Sequence, residues 1–126
     1  MEYNQLLESV KSLEFVQNDE LADAAIKATL GKVVSSMDED GAKKFTSSLS
    51  EPLSYERLRS HQASTTNLRG QELILEIAAQ FNLDQSDAER LVMCIFRNAK
   101  EQFPDESKRA MEEKLNPELL GLVQQS

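Results

Sequence analysis

LDQSDAERLVMCIFRNAKEQFP, Leu83 to Pro104, is the stretch whose reading decides the fold. Its apolar residues fall at Ala88, Leu91, Val92, Ile95, Phe96, Ala99 and Phe103. Steps of three and four are the period of a helix with one buried face. Asp84 or Ser86 can cap its start by accepting a hydrogen bond from a free backbone N–H. Pro104 stops it, because proline disfavours helix in the residue before it. Met93 and Cys94 lie outside the main stripe. The helix is therefore apolar over more than half its circumference, and a helix of that kind belongs near the centre of a molecule.

The same cadence occurs 66 residues upstream, at Ala22, Ala25, Ile26, Thr29, Leu30, Val33 and Met37. That offset also relates LSEPL (Leu49 to Leu53) to LNPEL (Leu115 to Leu119), Phe45 to Met111, and Phe15 to Phe81. Further upstream the offset becomes 67, with Leu6, Leu7 and Val10 against Leu73, Ile74 and Ile77. The predicted unit is a first helix (Leu6 to Leu13; Leu73 to Phe81), a capped turn (Asn18 or Asp19; Asp84), and a long second helix (Asp19 to Met37; Ser86 to Phe103). A third helix begins in Asp38-Glu39-Asp40 or Pro104-Asp105-Glu106 and ends at Leu49 or Leu115. Carboxylates favour that helix N-terminus, where the dipole is positive, and proline suits a first turn that needs no N–H partner. The paired leucines then pin a bend into a short fourth helix. Gly31, in the middle of the second helix, suggests close packing or a local bend.

The expected fold is therefore all-α, with six to eight helices in two pseudo-repeated halves packed as one helical bundle domain. The halves are residues 1–59 and 67–124, and the polar, aperiodic stretch 60–66 is the linker. Each half alone would be marginal by surface-to-volume scaling, so the two long helices should meet near the centre.

Composition limits the function. The chain has 126 residues, 40 % hydrophobic and 29 % charged, which is the make-up of a globular domain and not of a disordered one. Only 4 Gly and 3 Pro are present, too few turn formers for a many-stranded β fold. The net charge of −8 opposes simple attraction to nucleic acid or anionic membrane. A single cysteine forbids an intramolecular disulfide. MEYNQLLESV has no basic region followed by an apolar run, and no apolar run is long enough to span a membrane. A cytoplasmic location is the expectation.

The organisation resembles a bacterial family known as domain of unknown function 2267. The residues that carry the resemblance are Leu7 to Val10, Ala22 to Leu30 and LSEPL in the first half. In the second they are Ile74 to Ile77, Ala88 to Phe96 and LNPELLGL. The closing proline is displaced, three residues after Leu49 but two after Leu115. The resemblance implies an all-α fold in two tandem units. It supplies no catalytic residues.

No reactive constellation emerges from the residues themselves. Ile74 to Leu91 has the pattern of a DNA-reading helix-turn-helix, with alanines, a turn at Asn82 and a second apolar helix. The start of that second helix carries Asp84, Asp87 and Glu89 against Arg90 alone, so phosphate would be repelled. Cys94 sits inside LVMCIF, and the only histidine, His61, lies in the linker, so a core cysteine is favoured over a nucleophile. One His and one Cys do not make a zinc site. The isolated glycines form no phosphate loop. The expectation is no enzyme, no cofactor and no metal.

One surface feature stands out. Arg57, Arg59 and Arg69 gather with Tyr55 and His61 in an otherwise acidic chain. Arg and Tyr are frequent interface anchors, which makes these residues the candidate interaction surface. The expected function is a non-enzymatic module that binds another protein or itself. The alternatives are a small-ligand-binding protein or enzyme with a pocket between the halves, and a DNA-binding regulator acting through residues 74–91.

Overall fold

The computed structural model describes residues 3–37, 39–46, 70–115 and 117–126. They form seven helices and no strand: α1 (Tyr3–Lys11), α2 (Asp19–Ser35), α3 (Glu39–Thr46), α4 (Gly70–Phe81), α5 (Gln85–Gln102), α6 (Asp105–Lys114) and α7 (Pro117–Gln125). The fold is an all-α bundle, as the periodicity predicts.

The helix ends are set by named groups. Asn18 Oδ1 accepts from Leu21 N at 2.8 Å, and Asp84 Oδ1 accepts from Asp87 N at 2.7 Å. These are the capping bonds that satisfy an otherwise orphaned N–H in the first turn. Asn82 closes α4 at φ 54, in the left-handed region that asparagine tolerates better than most residues. Leu83 N then donates back to Ala78 O at 2.9 Å, the long bond of a Schellman close. Pro104 is the N-cap of α6 with no side-chain bond, one position outside the helix instead of within its first turn. The first helix ends at Lys11, before Leu13, and α2 ends at Ser35, before Met37. At that end the Ser36 hydroxyl and N–H both turn back to the Lys32 carbonyl. The helix runs through Gly31 without interruption.

The predicted stripes are the core. Ala22, Ala25, Ile26, Leu30, Val33 and Met37 are buried, and so are Ala88, Leu91, Val92, Ile95, Phe96, Ala99 and Phe103. They belong to one continuous cluster that also takes in Leu6, Val10, Leu73, Ile74 and Ile77 from α1 and α4. From Ala28 to Ser35 every residue of α2 is buried, so this half of the helix is enclosed on all sides. Leu115 and Leu119 are buried as well, and full burial of one leucine stabilises by roughly 1.5–3 kcal/mol. Their counterparts Leu49 and Leu53, and the linker, lie outside the described residues.

The packing has a pattern. α2 and α5 touch each other, and α3 lies along α6. α1 packs on α2 and α5, while α4 packs on α5 and α2. Exchanging α1 with α4, α2 with α5 and α3 with α6 turns α1–α2 into α4–α5 and α1–α5 into α4–α2, and leaves α2–α5 and α3–α6 unchanged. Beside the α3–α6 pair, Phe45 of α3 meets Phe103, just past the end of α5, edge-on, with ring centroids 5.2 Å apart. The pair itself is held by a buried bond in which Ser107 Oγ donates to Phe45 O at 2.6 Å. α7 lies on α4 and α5. It comes close at Gly70, where a Cβ would stand 3.4 Å from the Glu118 carbonyl oxygen.

Candidate functional site

α5 is an apolar helix with one face left to solvent. That face carries Ser86, Glu89, Arg90, Met93 and Arg97. With Leu13 beyond the end of α1 and Cys94 at its base, it forms an open groove of about 450 Å³. Steps of three and four place these residues along one line of the helix.

The groove's charges are not equivalent. Arg90 is bound to Glu14 through two parallel bonds, Nη1 to Oε1 at 2.6 Å and Nη2 to Oε2 at 3.0 Å. It also lies 3.7 Å from Asp87 and over the ring of Phe15, 5.4 Å from the centroid. The Arg90 guanidinium holds the Glu14 carboxyl down at about 2, with help from a backbone hydrogen bond. Arg97 and Glu89 are exposed, and neither has an ionic partner among the described residues. Lys11, Lys27 and Lys43, in contrast, all pair with neighbouring carboxylates.

Cys94 is buried, its sulfur 3.7 Å from the Ser9 carbonyl oxygen and 3.6 Å from the Asn98 amide. Burial pushes the thiol's pKa up, and the adjacent Arg97 guanidinium and Asn98 amide oppose this without prevailing. At neutral pH the group is a protonated core thiol, as the sequence suggests, and a poor nucleophile.

A second cleft of about 300 Å³ lies between α5, α6 and α7. Met111, Leu120 and Val123 line it, and Lys100, Lys108, Glu101 and Glu112 stand around them. The Lys100 ammonium is occupied there. It donates to the carbonyls of Gln124 and Ser126 at 3.2 and 2.7 Å, satisfying the open end of α7. Every residue that lines this cleft lies between Lys100 and Gln124.

The candidate surface Tyr55, Arg57, Arg59, His61 and Arg69 lies outside the described residues. The stretch Ile74 to Leu91 is a hairpin of α4 and α5 that buries Ile74, Ile77, Ala88 and Leu91 in the core and leaves Leu75 exposed, and its one cation, Arg90, is held by carboxylates. Among the described residues no group of three or more His, Cys, Asp and Glu could hold a metal ion. No described helix is long and apolar enough to cross a membrane. Sequence reasoning did not single out the Glu89–Met93–Arg97 line. The signal was present, since four-residue steps opposite a buried stripe mark a solvent face.

The fold is thus an all-α bundle with a mixed-charge groove on α5. The sequence pattern of the family described as "Uncharacterized conserved protein (DUF2267)" matches residues 3–122, and the chain belongs to that family. No curated protein matches the chain, and no solved structure does.

Proposed function

We propose that this protein is a non-enzymatic interaction module that binds another protein or a second copy of itself through the solvent face of α5. One observation carries the reading. Glu89 and Arg97 stand exposed and without ionic partners among the described residues, on either side of the half-buried Met93. Arginine and methionine are enriched at interfaces relative to other surfaces, and an arginine bound to no internal carboxylate is ready for an external one. The two-copy organisation is part of the same reading: the halves share one core, and the second half alone places an arginine pair on its long helix, where Ala24 and Gly31 stand in the first.

The test is affinity capture from the native cell with the wild-type protein and with Arg97→Glu. A partner retained by the wild type and lost by the variant supports the reading. An identical set of retained proteins removes this face from consideration. A small-ligand role is the second reading, favoured by the apolar lining of the α5–α6–α7 cleft, whose volume is at the low end for ligand pockets. Thermal-shift screening of apolar metabolites separates the two.

A further inference from the structure

The solvent face of α5 has a charge pattern with a particular symmetry. Glu89 precedes Met93 by four residues, and Arg97 follows it by four. A helix rises about 1.5 Å per residue, so each charge stands about 6 Å along the axis from Met93, in opposite directions. Such a pattern complements itself only when the second helix runs the other way. We infer that this face is an isologous interface, in which two copies of the chain pack α5 antiparallel about a two-fold axis at Met93. Glu89 then faces the partner's Arg97, Arg97 faces the partner's Glu89, and the two Met93 side chains meet on the axis.

The neighbouring groups fit this arrangement. Arg90 shares the face, and a second arginine would oppose Arg97 across the axis. Its charge is answered within its own protomer by Glu14 and Asp87. Lys100 continues the line beyond Arg97, but its ammonium is drawn to the carbonyls at the end of α7. Ser86, small and uncharged, ends the line on the other side. Glu89 and Arg97 give up no ion pair on pairing, since neither has an ionic partner among the described residues; Arg97 touches only the neutral Cys94 thiol at the base of the groove. Met93 and Leu13 supply apolar surface beside the pairs. In an isologous contact every interaction occurs twice, so a single substitution acts at two places. Charge pairs of this kind set partner and register more than they set affinity.

The inference rests on reading this groove as an interface, and the experiment separates the two. Sedimentation of the full-length wild type is expected to show a concentration-dependent monomer–dimer equilibrium. Arg97→Glu and Glu89→Arg should each raise the dimer Kd by about tenfold or more, through two like-charge contacts. Circular dichroism confirms that each variant folds. Mixing the two variants should form a heterodimer, because every contact is then Glu opposite Arg. A wild type that stays monomeric overturns the self-association, as does a pair of variants that dimerise as the wild type does. A monomer that still holds another protein through Arg97 would overturn the two-fold alone and leave the interface reading standing.

Discussion

At the scale of single residues, the groups least legible in the sequence are those whose partners are far along the chain. Arg90 and Glu14 are separated by 76 positions, and no periodicity brings them together. Their pairing has a titration signature. Glu14 titrates at about 2 in the folded protein, below the ordinary carboxylate range. A depressed acid contributes stability above its unfolded pKa and loses it as pH falls through the folded value. NMR titration of the Glu14 carboxyl should give a midpoint at about 2 in the wild type and a return toward about 4.3 in Arg90→Gln. An unchanged midpoint would show that Arg90 is not its partner in solution. Thr29 is the opposite case. It occupies the stripe position that Ile95 occupies in α5, and its buried hydroxyl has no hydrogen-bond partner among the described residues. Thr29→Val removes an unsatisfied polar group without changing the shape, so stability in urea should rise by about 1 kcal/mol. A loss instead would mean that the hydroxyl is satisfied in solution.

At the scale of elements, the sequence was explicit because burial and capping are local codes. Each stripe residue of the two long helices is buried, and Asn18 and Asp84 cap them 66 positions apart. Asn18→Ala and Asp84→Ala should each cost about 0.5–2 kcal/mol, measured by chemical denaturation. A neutral result at either would show that its capping bond contributes nothing. The boundaries were less legible. Met37 and Phe103 continue the apolar cadence, yet each lies just past its helix, because a residue can face the core from a turn as well as from a helix. The solvent face of α5 was hidden for a different reason. Hydrophobic period reports which side is dry, and it says nothing of how the charges on the wet side pair. Leu13 shows the same limit: it follows the first stripe in sequence but sits past the end of α1, at the wall of the groove.

At the scale of the molecule, α1 and α2 bury their apolar faces against α4 and α5. α1 leans on α5 and α4 on α2, so each of these helices packs on a helix far from it along the chain. The core is one cluster drawn from both pairs. We propose that the chain is two units, each marginal alone at its size, so that folding is a joint property of the two. The most direct test is native-state hydrogen exchange on the intact chain. The slowest amides of α2, between Ala25 and Leu30, and of α5, between Leu91 and Phe96, should share one opening free energy, equal to that of global unfolding. If the amides of one long helix exchange through an opening several kcal/mol cheaper than those of the other, the halves unfold separately, and the shared core does not hold the molecule together.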